Sequence, residues 1–169
     1  MDPHYFAWAA RAHGAPARLV EQAVAVNEAA PLHVLDRLEG ALRDAGADGG
    51  LAGRRVLLLG LGYKRNIADV RESPALVLLE MLEARGAVVG FHDPLVPEIP
   101  RLPEHPRLAG RRGLSWAEAM TPGRFDATLI ATDHDGVDYA GLVRAVPLVV
   151  DTRNVCARLG LSGARIVKA

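Results

Sequence analysis

The sequence predicts an α/β fold in which helices cover both faces of a parallel sheet, preceded by a long helical arm. Over residues 15–45, apolar side chains recur every three or four positions, which is typical of an amphipathic helix. After residue 53, short apolar runs of strand length alternate with helical segments. This alternation favours strands lying side by side in one parallel sheet, so the second part of the chain is predicted to be Rossmann-like.

The composition excludes several classes of protein. The 169 residues are 50% hydrophobic, which is enough for a sizeable core and too apolar for a disordered chain. Lys and Arg number 20, as do Asp and Glu, so the net charge is zero and a general nucleic-acid binder is not expected. No apolar run reaches the roughly 18 residues of a membrane span. The lack of a signal peptide and the single cysteine predict a cytoplasmic protein without membrane association.

The helical arm is predicted from one apolar stripe that ends at a glycine-rich linker. The stripe is formed by Leu19, Ala23, Val26, Ala30, Val34, Leu38 and Ala41. Pro31 interrupts it and is expected to kink or divide the helix, because proline removes a backbone donor. The segment 46–53 is poor in large side chains, and it predicts a boundary between an arm of residues 1–48 and an α/β domain of residues 49–169.

The first strand and helix of the α/β domain have clear boundaries. The apolar run 56–59 ends at Gly60 and predicts a strand buried on both faces. Ser73 before Pro74 predicts a helix start, with a hydroxyl cap and a proline at the first helical position. The helix is expected to end at Gly86, which is preceded by a basic residue.

The remaining elements follow the same alternation. Residues 87–92 predict the second strand, and the stretch 93–112 predicts an irregular connection because it holds five prolines. Ser115 and Glu118 form a capping box that opens a short helix. Further strands are predicted at 125–131 and 148–150, a helix at 139–145 and an edge strand at 165–168.

Polar residues follow three predicted strands, at the end where open parallel sheets bind ligands. They lie in the segments 60–64, 132–134 and 151–154. Gly60 and Gly62 permit a tight turn and a close approach of the backbone to an anionic group. A dinucleotide fingerprint would need a third glycine where Arg65 stands, so this Gly-x-Gly is weak as a dinucleotide site.

A long loop follows this turn and presents charged side chains. Lys64 is one of two lysines among the 20 cationic residues, and the other, Lys168, lies beside the chain end. Because almost every other cationic residue of the chain is arginine, a lysine at the ligand-binding edge is informative. It favours a contact in which a compact point charge binds a phosphate or a sugar hydroxyl. A solvated surface loop is the alternative, and for Arg71 the alternative is a salt bridge to Asp69 or Glu72.

Two histidines beside acidic residues are further candidates. His92 and Asp93 suggest a His/Asp pair, although a structural role at a strand end is favoured. His134 lies between two aspartates and could ligate a metal, but no second cluster of ligands supports a metal site.

The stretch GLGYKRNIADVRESPALVLLEMLEARGAVVGFHDPLVP closely resembles the carboxyl-terminal domain of the UDP-glucose/GDP-mannose dehydrogenase family. MDPHYFAWAARAHG is similar to the start of that family's central helical domain, and DTRN at 151–154 is similar to its last substrate motif. The Asp-Pro-x-Tyr-x-x-Trp segment is more similar to the branch acting on UDP-N-acetylglucosamine or UDP-N-acetylmannosamine than to the UDP-glucose enzymes.

The resemblance implies a reaction and a role for each part of the chain. These oxidoreductases of polysaccharide biosynthesis convert the C6 alcohol of a UDP-sugar to a carboxylate, with two NAD+ and a cysteine thiohemiacetal. Residues 1–48 would belong to the central helical domain, through which a homodimer forms. Residues 49–169 would form the domain that holds the UDP-sugar.

The resemblance also implies site residues at the matching positions. Lys64 matches the lysine that contacts the UDP-sugar, and Tyr63 matches its aromatic neighbour against the nucleotide. Arg153 matches a second substrate-contacting arginine, and Arg71 matches one that reaches the NAD pyrophosphate. Asp2 matches the aspartate that positions water and protons in the hydrolysis step. No metal is implied.

The sequence departs from the family pattern at its amino end. The family's nucleophilic cysteine lies in a Gly-Gly-His-Cys-Ile-Pro-Val segment directly before this Asp-Pro, and Met1 stands in place of the valine. We therefore expect this chain alone to be catalytically inactive and to bind NAD poorly. Cys156 is expected to be a small buried hydrophobe. The alternative function is a non-catalytic UDP-sugar-binding or subunit-assembly module.

Overall fold

A computed structural model describes residues 2–46 and 49–169 of the chain. The chain forms two compact units that divide after His33. The predicted domain boundary after Asp48 falls outside the described residues and stays a prediction.

The first unit holds α1 (Pro3–Ala12) and the beginning of α2 (Arg18–Asp44). Periodicity did not predict α1 as a separate helix. Within this unit, Arg11 of α1 donates to Glu21 of α2 at 2.7 Å. α2 continues through Pro31, so the proline does not divide the helix. Proline removes a single backbone donor, and the hydrogen bonds on either side hold the turn.

The second unit begins with the later part of α2, whose side chains belong to the main core. Leu35, Leu38 and Leu42 are buried there. Leu51, at the end of the predicted linker, is buried in the same cluster. The glycine-rich segment therefore contributes a side chain to the core and is more than a flexible connection.

Five strands form the sheet. Their bounds are β1 Arg55–Leu59, β2 Val88–His92, β3 Ala127–Ile130, β4 Leu148–Asp151 and β5 Arg165–Lys168. All neighbours pair in parallel, and the order across the sheet is β2-β1-β3-β4-β5. The predicted parallel sheet is confirmed, and the strand ends differ from the predicted ones by at most two residues.

Helices cover both faces of the sheet, as predicted. Their bounds are α3 Pro74–Ala84, α4 Trp116–Ala119, α5 Tyr139–Ala145 and α6 Val155–Arg158. Val56 and Leu58 of β1 face the cluster that contains α2 and α3 side chains. Leu57 and Leu59 face the opposite cluster, which contains side chains of α4, α5 and α6. This alternation buries residues 56–59 of β1 on both faces and explains their uninterrupted apolar sequence.

The predicted helix caps are present. The Ser73 hydroxyl accepts a hydrogen bond from the backbone N–H of Ala75 at 3.3 Å. Ser115 and Glu118 form the reciprocal capping box at the start of α4. The proline-rich connection contains one short 3-10 helix, Pro106–Leu108. Among the described residues, no helix combines the length and apolar character needed to cross a membrane.

Candidate functional site

The strand order creates a crevice at the carboxyl edge of the sheet. β1 lies between β2 and β3. The chain continues from β1 towards the β2 edge of the sheet and from β3 towards the β4 edge, so the loops that follow β1 and β3 diverge and leave a crevice between them. Ligands of open α/β sheets bind at such a switch point. The three polar segments singled out in the sequence, 60–64, 132–134 and 151–154, follow β1, β3 and β4 at this edge.

The two glycines after β1 serve the protein's own packing. Gly60 has a left-handed φ of +82°, and a Cβ built on it would lie 2.0 Å from the backbone oxygen of Thr132. A Cβ on Gly62 would lie 2.5 Å from the backbone oxygen of Ile67. The tight turn expected at Gly60 is therefore present, and both glycines are needed because backbone carbonyls occupy the space that a Cβ would fill; the expected approach of an anion to this backbone stays a prediction.

Tyr63 and Lys64 stand at the exposed tip of the loop after β1. The Tyr63 side chain is 49% exposed, and its backbone N–H donates to the carbonyl of Asp69 at 2.7 Å. The Lys64 ammonium lies 5.6 Å from the centre of the Tyr63 ring, within reach of a cation–π contact. The tip thus offers an aromatic face and a positive charge side by side.

Asp133, directly beyond β3, gathers three guanidinium groups. Its buried carboxylate lies 3.6 Å from Nε of Arg65 and 3.4 Å from Nε of Arg153. It also accepts a hydrogen bond from Arg158. Burial by itself raises the pKa of Asp133, but the hydrogen bonds and charges of the arginines outweigh burial and lower it. Arg153 is therefore linked through Asp133 to Arg65, the neighbour of Lys64.

Sequence reasoning missed the structural roles of Arg65 and Arg158. Arg65 was noted only as a departure from the dinucleotide fingerprint, yet it pairs with both Asp133 and Asp135. Arg158 lies at the end of α6, a four-residue helix that was not predicted. The available signal was Asp133 itself, because a carboxylate that is buried at a strand end requires cationic partners.

Arg71 is held by Asp69 two residues before it. Nε of Arg71 lies 3.0 and 3.1 Å from the two carboxylate oxygens of Asp69, and Nη2 lies 2.6 Å from Oδ2. The side-chain and backbone hydrogen bonds from Arg71 lower the pKa of Asp69 to about 2. The salt bridge considered as an alternative for Arg71 is thus present, and the arginine remains highly exposed.

Asp2 lies in the first unit and caps α1. Its carboxylate oxygen accepts the backbone N–H of His4 at 2.8 Å, and an acidic cap of this kind stabilises a helix start. The other four predicted site residues, Tyr63, Lys64, Arg71 and Arg153, all lie in the second unit.

Cys156 is buried at the start of α6, as expected. Burial, and then the nearby carboxylate of Asp151, raises the pKa of its thiol to about 12. Asp151 accepts the backbone N–H groups of Arg153 and Cys156, both at 2.9 Å. The carboxylate therefore organises the turn that presents Arg153.

His134 and Asp93 form a buried pair behind the β1 loop. Nε2 of His134 lies 3.2 Å from Oδ2 of Asp93. Nδ1 of His134 accepts the backbone N–H of Asn66 at 3.0 Å. Both ring nitrogens therefore have protein partners, and the arrangement does not match the metal-ligand role considered for His134.

Known proteins resemble this chain in sequence and in fold. Residues 57–158 match the model of the UDP-glucose/GDP-mannose dehydrogenase family, UDP binding domain. The chain is 31% identical over 152 residues to UDP-glucose 6-dehydrogenase TuaD of Bacillus subtilis, covering 86% of this chain and 31% of that protein. It is 37% identical over 68 residues to UDP-N-acetyl-D-mannosamine dehydrogenase of Escherichia coli K12, covering 39% and 16%.

The solved structures agree. A UDP-glucose dehydrogenase from Pyrobaculum islandicum superposes with a TM-score of 0.75 at 31% identity, covering 97% of this chain and 34% of that one. The chain thus spans about a third of the length of these relatives. The chain belongs to the UDP-glucose/GDP-mannose dehydrogenase family, and its residues 57–158 correspond to the family's UDP-binding domain.

Proposed function

We propose that this chain is the UDP-sugar-binding and dimerisation portion of an NAD-dependent UDP-N-acetylhexosamine 6-dehydrogenase, which oxidises the C6 alcohol to a carboxylate. The observation that carries the proposal is the exposed pair of Tyr63 and Lys64 at the switch point of the sheet. An aromatic face can stack on a base, and a compact ammonium can bind a phosphate or a sugar hydroxyl.

Arg153 is the second proposed contact with the UDP-sugar. Its guanidinium is about half exposed, and Asp133 holds it at Nε, which leaves the terminal nitrogens of the fork available for a ligand. Preorganisation of this kind lowers the entropy lost on binding. The same buried carboxylate also holds Arg65, so the two loops that border the crevice are tied together before UDP arrives.

The N-acetylhexosamine substrate is proposed from the Asp-Pro-x-Tyr-x-x-Trp segment at the amino end. The relatives include proteins named for UDP-glucose and proteins named for UDP-N-acetyl-D-mannosamine. Calorimetric titrations with UDP-N-acetylglucosamine, UDP-N-acetylmannosamine and UDP-glucose test this assignment. We expect both acetylated sugars to bind more tightly than UDP-glucose, and the reverse order would contradict it.

We propose that the 169 residues alone do not catalyse the oxidation. The family reaction needs a cysteine thiolate, and the single cysteine of this sequence has a thiol pKa of about 12. At neutral pH this group stays protonated and buried. Arg71, the proposed contact with the NAD pyrophosphate, is engaged by Asp69, and Arg65 stands where a dinucleotide turn needs glycine. We therefore expect NAD+ to bind weakly by itself.

We propose that the chain forms a homodimer through the first unit. Tyr5 and Trp8 of α1 and Leu19, Val26 and Leu32 of α2 expose large apolar surfaces in that unit. Such a concentration of exposed apolar side chains favours burial against another protein surface. The same observation supports the second candidate function, an assembly module that pairs with full-length dehydrogenase subunits. Mixing the chain with an intact homologue and testing for heterodimers by mass photometry tests the assembly module: heterodimers support it, and an inert chain that forms none contradicts it.

Thermal unfolding in the presence of UDP tests the nucleotide site. A ligand that binds only the folded state at 100 times its Kd stabilises that state by about 2.7 kcal/mol. We therefore expect millimolar UDP to raise the melting temperature by several degrees and NAD+ to have little effect. No shift with UDP would contradict the proposed function.

A further inference from the structure

Two buried side chains hold the loop that carries Tyr63 and Lys64, and they follow β2 and β3, the strands on either side of β1. The side chains of His134 and Asp93 are 1% and 0% exposed. A backbone N–H can only donate, so Nδ1 of His134 must present its lone pair to Asn66. The remaining ring proton therefore lies on Nε2, which faces Oδ2 of Asp93 at 3.2 Å. The geometry assigns the neutral Nε2–H tautomer to His134.

Asp93 holds the other side of the same loop. Its Oδ2 accepts the backbone N–H groups of Leu61 at 2.6 Å and Gly62 at 3.0 Å. Its Oδ1 accepts those of Leu95 at 2.8 Å and Val96 at 3.1 Å. With His134, the buried carboxylate has five donors, which offsets much of the cost of removing its charge from water.

The exposed tip is therefore anchored at both of its ends. Leu61 and Gly62 precede the tip, and Asn66 follows it. A further bond runs from the Thr132 hydroxyl to the carbonyl of Gly62 at 2.6 Å. None of the donors or acceptors in this group of bonds belongs to the side chains of Tyr63 or Lys64, which stay exposed. The pair thus fixes the backbone and leaves the two proposed ligand contacts available.

We propose that Asp93 and His134 act as a positioning pair for UDP binding, by holding the backbone on either side of Lys64. The proposal rests on the function proposed above for Lys64. The pair contacts no ligand itself, because both side chains are buried behind the loop. The pair orders the tip before the nucleotide binds. The tip therefore loses less conformational entropy on binding, and UDP binds more tightly.

Substitutions of His134 separate its two hydrogen bonds. In His134→Asn, the amide oxygen can take the place of Nδ1 and accept the Asn66 N–H, whereas His134→Ala removes both bonds. We expect the alanine variant to bind UDP about tenfold more weakly in calorimetry and the asparagine variant to recover most of that loss. Asp126→Ala is the control for destabilisation alone. It removes the carboxylate that accepts the Arg55 backbone N–H and pairs with the Arg55 guanidinium, at the amino-terminal edge of the sheet opposite the crevice.

Amide hydrogen exchange supplies a measurement that needs no nucleotide. In the native chain we expect slow exchange at Leu61 and Asn66, and in His134→Ala at least about tenfold faster exchange at Asn66. The Asp126→Ala control should leave both amides unchanged. If His134→Ala does not fold, the same comparison is made with His134→Gln, which can still donate to Asp93 but no longer accepts from Asn66.

Each result decides a different question. Native UDP affinity in the alanine variant, or an asparagine variant that binds no better than alanine, would overturn the positioning role. If the native chain binds no UDP at all, the proposed function fails. In that case, faster exchange at Asn66 in the variant still supports the anchoring of the loop, and unchanged exchange overturns it.

Discussion

Gly60 passes so close to Thr132 that a Cβ on the glycine would lie 2.0 Å from the Thr132 backbone oxygen. This contact joins the turn after β1 to the segment after β3, the two sides of the crevice. Gly60 also donates its backbone N–H to His92 at 2.9 Å, at the end of β2. The carboxyl ends of three strands therefore meet at a residue that has no side chain.

Replacing Gly60 by alanine should destabilise the fold strongly. The new Cβ would overlap a backbone atom. The position also has a left-handed φ, which alanine disfavours. We expect a loss of at least about 2 kcal/mol in the free energy of unfolding, measured by urea denaturation.

Two other glycines are matched controls for this prediction. Gly136→Ala, in open space and without a left-handed φ, should stay within about 0.5 kcal/mol of the native chain. Gly123→Ala, in open space with a φ of +69°, should lose about 1 kcal/mol. Equal stability of the Gly60 and Gly136 variants would show that the turn can relax away from Thr132.

Lys64→Ala should weaken UDP binding without changing stability. A charge-assisted hydrogen bond contributes about 1.5–3 kcal/mol, which corresponds to roughly ten- to a hundredfold in Kd. The exposed ammonium makes no ion pair within the described part of the chain, so the free energy of unfolding should change by less than about 0.5 kcal/mol. Calorimetric titration with UDP measures the first effect and urea denaturation the second.

The second lysine is the natural control. Lys168→Ala on β5 should leave UDP affinity at the native value, since Lys168 lies on the edge strand beyond β4. Lys64→Arg should restore affinity only in part, because a planar fork does not replace a compact ammonium. Unchanged UDP binding in Lys64→Ala would instead favour a nucleotide site elsewhere.

Stability should fall in acid because Asp93 and Asp133 must be protonated. Burial raises the pKa of each carboxyl, but hydrogen bonds from His134 and backbone amides at Asp93, and from arginines at Asp133, lower it below the ordinary value of 3.8. The unfolded chain then binds more protons than the folded chain, so stability is fully present above about pH 5 and is lost as the pH falls through the folded pKa values.

Urea denaturation between pH 7 and pH 2.5 measures this loss, which we expect to reach at least about 2 kcal/mol. Asp93→Asn should be less stable at pH 7 and should show a flatter pH dependence. Ser73→Ala, which removes an uncharged cap, should lower stability by a similar amount at each pH. A native slope in Asp93→Asn would contradict the assigned role of that carboxylate.

The apolar surface of the first unit should control self-association. Leu19 and Val26 are 85% and 63% exposed on α2, and burying them between two chains would favour association. We expect the native chain to sediment at about twice its 18.0 kDa mass and the double variant Leu19→Asp, Val26→Asp to sediment as a monomer. Val88→Asp, at an exposed apolar position in the second unit, should leave the dimer intact.

Local patterns were sufficient for most of the elements. The apolar run of β1, the Ser73–Pro74 start of α3 and the Ser115 capping box all form where they were predicted. These signals are local, because burial on both faces and helix capping depend on residues within a few positions. α6 was not predicted, because a helix of four residues carries too little periodicity.

The sequence by itself determined the α/β class, the family and the position of Tyr63 and Lys64 after the first strand, because each rests on residues close together along the chain. Only the tertiary structure brought Asp93 to His134 and Asp133 to Arg153. Those partners belong to loops after different strands, and local periodicity does not specify the order in which parallel strands pair. That order, once adopted, decides which charged groups are buried together and therefore which must be partners.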